Sequence, residues 1–329
     1  MPKKIRDSVV VITGASSGIG RATALACARR GAAVVVAARR EGLLEDVAGE
    51  CERLGGRALA VPTDVTDEQA VKELARQAVQ NFGRLDVWVN NAGVTLFSRF
   101  EEAPIEEYRR VFETNLFGYV YGARAALPYF REQGSGVLIN NDSVVAKASQ
   151  PYTSAYVTSK FAVRGLSERL REELILDGAK DIHVCTIMPA SIDTPFFQHG
   201  ANYTGRAPKA LNPVYDAEKV AKAIVRCAQR PKGEVTVGNA GRLLALQHTL
   251  SLGFYENMAA RQIDRDHFQD EPASSTSGNL FEPLQEGTEV SGGWKNADGT
   301  VSAQRMALAG TLAAAAGAGL LGWRWLRRN

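Results

Sequence analysis

Val9-Val10-Val11-Ile12-Thr13-Gly14-Ala15-Ser16-Ser17-Gly18-Ile19-Gly20 is a short β-branched run that breaks into glycines and then into an amphipathic stretch through Ala22, Leu25 and Ala26. A strand, a turn and a helix follow from that order. The glycines recur as Gly-x3-Gly-x-Gly, and each does something different. Gly14 permits a tight turn, Gly18 lets backbone approach a pyrophosphate, and Gly20 allows the helix to pack closely. The free amides at the start of such a helix attract phosphate. An ordinary strand-to-helix turn can carry the same glycines, so the triplet alone is a weak signal.

The alternation continues outward from that stretch. Apolar runs recur at Ala33–Ala38, Ala58–Pro62, Val87–Asn90, Gly136–Asn141, His183–Met188 and Glu234–Val237, with longer amphipathic stretches between them. This pattern predicts an α/β fold, a doubly wound parallel sheet whose crossover helices cover both faces. Ligands of such sheets bind beyond the carboxyl ends of the strands. The 329 residues amount to about two average domains, but one α/β core can occupy about 250, and residues 1–270 read as a single domain.

Beyond Asp270 the pattern fails. Of the 33 residues from Pro272 to Gln304, 15 are Gly, Pro, Ser or Thr, so 271–304 reads as a linker. Phe281, Leu284 and Trp294 interrupt it, so part of it either hangs free or docks on the body. Met306 to Trp323 is an uncharged run of 18 residues, long enough to cross a bilayer as a helix. Gly310, Ala314, Ala318 and Gly322 form a small-residue stripe, and Trp323, Trp325 and three arginines suit a membrane interface. A span with a cytoplasmic body would place those arginines against the positive-inside tendency, whereas a helix lying in the interface or docked on the protein would not. Residues 305–329 therefore read as an apolar C-terminal helix with a basic end, a candidate membrane anchor.

Composition narrows the class. With 45% apolar and 23% charged residues the chain is neither disordered nor a multi-span membrane protein. The formal charge of +3 falls to −1 once Arg305, Arg324, Arg327 and Arg328 of the tail are set aside, which argues against a nucleic-acid face. Cys27, Cys51, Cys185 and Cys227 are scattered and form no CxxC pair, and the N-terminus carries no export signal. Both point to a reduced, cytoplasmic protein. His183, His199, His248 and His267 are isolated in sequence, and no metal site is expected.

Two further motifs accompany the glycines: Asn90-Asn91-Ala92-Gly93 after the fourth strand and Tyr156-x3-Lys160 downstream. Together the three resemble the classical short-chain dehydrogenase/reductase family over roughly residues 7 to 240. The resemblance implies a single-domain Rossmann core as the catalytic domain, a nicotinamide dinucleotide, and an active site on the same domain. Its implied cofactor contacts are Gly14, Ser16, Ser17, Gly18, Ile19, Gly20, Asp64, Val65, Asn91, Ala92, Gly93, Tyr156, Lys160, Pro189, Ile192 and Thr194. Asp64 and Val65 match an adenine-contacting pair, Asn91 faces the adenosine ribose, and Ile192 and Thr194 match contacts to the nicotinamide amide. Where the family usually has Pro-Gly, this chain has Pro189-Ala190, which leaves that loop's shape open.

The second strand ends in Ala37-Ala38-Arg39-Arg40, where an NAD enzyme usually places a carboxylate for the ribose hydroxyls. A guanidinium there matches a 2′-phosphate in charge and planar geometry, so NADP(H) is the expected cofactor, with Arg39 first and Arg40 second. Two surface arginines starting the next helix are the plainer alternative.

Tyr156 and Lys160 are four residues apart on one helical face. An ammonium about 4 Å from a phenol favours the phenolate by at most about three pKa units, which would bring Tyr156 into working range. Ser143 and Asn115 match the family's substrate-oxygen serine and its helix asparagine, the latter supporting a water path to the lysine. The implied catalytic set is Asn115, Ser143, Tyr156 and Lys160, with Tyr156 as general acid/base in carbonyl–alcohol interconversion.

After Thr194, the segment with Pro195, Phe196, Phe197 and Tyr203 occupies the family's variable substrate lid. With Val94, Leu96, Val145, Ala148 and Tyr152 it predicts an apolar pocket for a small hydrophobic ketone, aldehyde or alcohol. Two rival readings remain: a membrane-associated dinucleotide-binding scaffold or redox sensor without turnover, and a dehydratase or epimerase, for which further acid/base groups are missing. The family also implies a homodimer or homotetramer.

Overall fold

The computed structural model describes residues 5–297. Seven strands form one parallel sheet: β1 (Val9–Thr13), β2 (Ala33–Ala38), β3 (Arg57–Pro62), β4 (Val87–Asn90), β5 (Gly136–Asn141), β6 (Ile182–Pro189) and β7 (Glu234–Val237). Their order is β7-β6-β5-β4-β1-β2-β3, doubly wound as the alternation predicts. Expected and observed strand ends differ by at most one residue.

Side-chain alternation along each strand divides the core between two faces. Val10, Ile12, Val34, Val36, Val87, Val89 and Ile139 pack on one side, where Ala22, Ala26 and Leu44 belong to α1 (Gly18–Ala28) and α2 (Glu41–Arg53). Val9, Val11, Val35, Trp88 and Leu138 pack on the other, against α3 (Glu68–Phe82) through Val71 and Leu74, and against Ala126 and Phe130. Burial on both faces explains why the strands read as continuous apolar runs, each fully buried valine or leucine contributing about 1.5–3 kcal/mol. The four cysteines are free and buried.

The second face is completed by α4 (Ile105–Phe112), a π-helical turn at Glu113–Phe117, α5 (Gly118–Gln133) and the long α6 (Ser154–Leu176). After β6 the chain makes the one-turn helix Phe196–His199 and several two- or three-residue strands, then α7 (Ala217–Gln229), which packs on α1. A helical hairpin, α8 (Asn239–Leu250) and α9 (Leu252–Asp266), follows β7, and Phe268–Pro272 pairs antiparallel with Arg206–Pro208.

The Gly- and Ser-rich segment then docks on the body. Leu280 is fully buried beside Val94, Leu96 and Ala201. Residues 305–329, read as an apolar helix, lie outside the described residues; among the described ones no helix is long and apolar enough to cross a membrane.

Candidate active site

The carboxyl ends of β1, β2, β4, β5 and β6 open into one cleft of about 1310 Å³. At its floor is the glycine turn. Gly14 and Gly18 have φ of +64° and +52°, in the left-handed region that glycine adopts without strain. A Cβ on Gly20 would lie 2.1 Å from the Gly14 carbonyl oxygen, so α1 sits this close to β1 only because the residue has no side chain. Asn91 holds the turn from the neighbouring strand: its amide donates to the Thr13 and Gly14 carbonyls at 2.9 and 3.2 Å, and its Oδ1 accepts from Asn141 at 2.9 Å. The expected ribose contact of Asn91 is thus accompanied by a structural role that occupies its side chain.

Ser143 caps the turn beyond β5, its Oγ accepting from the Val145 amide, while α6 brings Tyr156 and Lys160 to the same place. Ser143 and Tyr156 line the cleft together, close enough for the serine to act on the phenol. Lys160 Nζ donates to the Asn141 carbonyl at 2.9 Å and lies 3.5 Å from the Tyr119 hydroxyl. It sits 5.6 Å from the centre of the Tyr156 ring. Asn115 is in the π-helical turn, fully buried, with Nδ2 donating to the Val94 carbonyl and to Ser159, and Oδ1 accepting from the Val94 amide. It fixes the strand that follows Gly93 against α6.

The electrostatics differ from the sequence expectation. Burial pushes the Tyr156 phenol well up, the Ser143 hydroxyl holding part of that shift back. The pull of the Lys160 charge towards the phenolate is not what moves Tyr156; that ammonium donates to a carbonyl, and burial moves its own pKa down. Asp142 is the neighbour that sequence reasoning missed. It is buried beside the catalytic set, and among the described residues neither carboxylate oxygen has a hydrogen bond of ordinary geometry. Burial raises its pKa, while Lys160 and the Ser143 amide favour the charged form.

Ala190 replaces the family's glycine without strain: its φ is not positive, its amide donates to Val237 at 2.9 Å, and its methyl group faces Gly238 and Gly241. Pro189, Ile192 and Thr194 line the cleft as expected. So do Val94, Val145, Ala148, Phe196 and Phe197, whereas Leu96, Tyr152 and Tyr203 do not. Leu96 pairs with Ala201, Tyr152 donates to Asp264, and Tyr203 donates to Glu107. The α8–α9 hairpin supplies a wall that the sequence reading did not include, through Leu243, Leu244, Phe254, Tyr255 and Met258, with Arg261 and Arg265 near its rim. The only local sign of it was apolar residues at helical spacing.

Arg39 and Arg40 reach the cleft but are engaged by the C-terminal segment. Arg39 donates to the carbonyls of Asn279 and Phe281 at 2.7 Å each, and Arg40 to that of Leu284 at 2.8 Å and to Ser16 Oγ at 3.0 Å. Asp64 is paired with Arg110 at 2.9 Å, and Val65 packs near Gly118. Among the described residues no cluster of His, Cys, Asp or Glu forms a metal site.

These residues fit a dinucleotide on three counts: a turn whose Gly14 and Gly18 take left-handed φ and bring backbone to the cleft floor, a cleft lined from Arg39 to Tyr156, and a buried ammonium beside a phenol. Comparison with known proteins agrees. The short chain dehydrogenase profile matches residues 8–202. An uncharacterized oxidoreductase of Bacillus subtilis is 39% identical over 246 residues, covering 74% of this chain and 69% of that one. An alcohol dehydrogenase of Thermococcus sibiricus, solved with 5-hydroxy-NADP, superposes with a TM-score of 0.61 at 29% identity over 70% of this chain and 95% of its own. A short-chain dehydrogenase/reductase of Burkholderia phymatum, solved with NAD, gives 0.70 at 25% identity over 78% and 97%. This chain belongs to the short-chain dehydrogenase/reductase family, oxidoreductases that act on CH–OH groups and use a nicotinamide dinucleotide.

Proposed function

We propose that the protein interconverts a hydrophobic ketone or aldehyde and its alcohol with NADP(H), and the convergence of Ser143, Tyr156 and Lys160 in one cleft carries this reading. The bound dinucleotide supplies or accepts the hydride. Tyr156 holds the proton that passes to or from the substrate oxygen, and Ser143 hydrogen-bonds that oxygen. Lys160, anchored on the Asn141 carbonyl, faces the cleft with donors for the nicotinamide ribose. Val94, Val145, Ala148, Phe196 and Phe197 exclude water and favour an apolar substrate. Gly14, Ser16, Ser17, Gly18, Ile19 and Gly20 hold the pyrophosphate side, and Arg39 with Arg40 supports NADP(H) over NAD(H).

A scaffold or sensor needs none of the four residues Asn115, Ser143, Tyr156 and Lys160, and this chain has all four. Phe117 and Phe161, still exposed on the helical face beside the site, support the homodimer or homotetramer that the family implies. The test is a panel of carbonyls and alcohols with NADPH, NADP+ and NAD(H). Tyr156→Phe should abolish turnover while cofactor still binds, since positioned acid/base groups contribute about 10²- to 10⁴-fold. A variant keeping more than about a tenth of the wild-type rate overturns the role of Tyr156.

A further inference from the structure

Residues 279–295 cross the nucleotide side of the cleft as an extended strap, held along residues 279–289 through backbone carbonyls and at the far end through Asp193. Arg39 takes those of Asn279 and Phe281, and Arg40 that of Leu284. His199 Nε2 lies 3.0 Å from the Glu286 carbonyl, and Arg21 donates to Thr288 at 2.9 Å. The Gly18 amide, at the start of α1, donates to the Glu289 carbonyl at 3.0 Å. Asp193 then gathers the far end: its carboxylate accepts from Ser291 Oγ at 2.6 Å and from the Gly292 and Trp294 amides at 3.1 and 2.8 Å. Trp294 Nε1 donates to the Thr194 carbonyl at 3.0 Å, and its ring stands edge-on to Phe197.

The strap roofs the cleft and leaves most of it open, but the Glu289 carbonyl takes the Gly18 amide, so a pyrophosphate bound there must displace that carbonyl. Asn279, Pro283 and Leu284 line the cavity from above, and the lining still includes the glycine turn, Asp64 and Val65. The Oδ1 of Asn279 is a buried acceptor with no partner among the described residues, placed in that lining close to Arg39. A ligand lying along the cleft therefore meets strap on one side and sheet ends on the other.

We propose that this strap is a cofactor-retaining lid: a dinucleotide enters and leaves only when residues 279–295 lift, and Asn279 offers an acceptor to its adenosine half. The inference rests on the dinucleotide reading above. A 2′-phosphate on Arg39 or Arg40 must also replace strap carbonyls as the guanidinium's partner, so the lid and the phosphate use the same two side chains.

The experiment uses the full chain and NADPH. A Cβ at residue 292 would lie 2.3 Å from the Thr194 carbonyl oxygen, so Gly292→Val prevents the strap from seating. The double variant Ser291→Ala/Trp294→Ala loosens the same end with no wedge, removing side chains that bond Asp193 and the Thr194 carbonyl. Stopped-flow fluorescence gives association and dissociation rates. Both rates should rise about tenfold or more in both variants, as expected where lid opening limits exchange. Faster association with unchanged dissociation means that the strap blocks the site and is displaced by cofactor, and it overturns the lid. Unchanged rates in both variants overturn it as well. If neither wild type nor variants bind any dinucleotide, the cofactor reading itself fails, an outcome distinct from binding with unaltered kinetics.

Discussion

Arg39 shows how one side chain can have two partners of different strength. In this structure its guanidinium bonds neutral carbonyls, and burial with the neighbouring Arg110 charge lowers its pKa while Asp64 counters the shift. The carbonyls are neutral acceptors, whereas a 2′-phosphate would bring a full opposite charge and a bidentate geometry, and on the NADP(H) reading it displaces them. Arg39→Asp should invert the preference, lowering kcat/KM for NADP(H) and raising it for NAD(H); an unmoved ratio of the two constants removes Arg39 from cofactor selection. His267 makes a second prediction at this scale. Its ring is packed edge-on against Phe97 and hydrogen-bonded to the Lys209 carbonyl, and burial lowers its pKa from 6.5 to about 4. The unfolded chain therefore binds the extra proton between those values. Stability is fully present above about pH 6.5 and is lost as pH falls towards 4, by roughly 3 kcal/mol at most. Denaturant unfolding of wild type and His267→Gln across that window should show a shallower pH slope in the variant.

At the scale of elements, the β1–turn–α1 unit depends on the missing side chain of Gly20. Gly20→Ala drives a methyl group against the Gly14 carbonyl and the Asn91 amide, and should destabilise the protein by about 1–3 kcal/mol and weaken dinucleotide binding. Gly42→Ala, in α2 with nothing within 4 Å of the added methyl, is the control, and should be neutral or stabilising by up to about 1 kcal/mol. Thermal unfolding and cofactor titration of the two variants decide it. This unit was legible in the sequence because its requirements are local: a β-branched run, a glycine where φ is positive, and an apolar helical face. The α8–α9 hairpin was less so. Leu244, Tyr255 and Met258 pack with Ala148, a contact across about a hundred residues that no local pattern announces.

For the whole molecule, the described contacts of the strap and the cleft are complete by Lys295, which pairs with Asp216 at 2.5 Å. A chain ending at residue 304 should therefore fold and turn over like the full protein. If the basic apolar tail attaches to membranes, only the full chain should sediment with anionic vesicles, and salt should weaken that binding, because Ala and Gly contribute little apolar area and Arg324, Arg327 and Arg328 supply the attraction. A full chain that ignores such vesicles rules the anchor out; loss of activity on truncation shows instead that the tail packs on the body.

The sequence by itself determined the seven strands, the glycine turn and the pairing of Tyr156 with Lys160, because two-sided burial writes apolar runs into strands and helical spacing puts those two residues on one face, whereas Ser143 was placed only by the family resemblance. Tertiary structure alone decided the rest. Burial, not the neighbouring ammonium, governs Tyr156, since a pKa depends on how much water the packed chain removes and on where the Lys160 nitrogen finds its partner. The strap was only half legible: Phe281, Leu284 and Trp294 offered docking as one alternative to a free linker, but not where it docks or how. It is held chiefly through carbonyl oxygens, which every residue carries, so a Gly- and Ser-rich stretch that looks like a linker has all the acceptors that Arg21, Arg39, Arg40 and the Gly18 amide require.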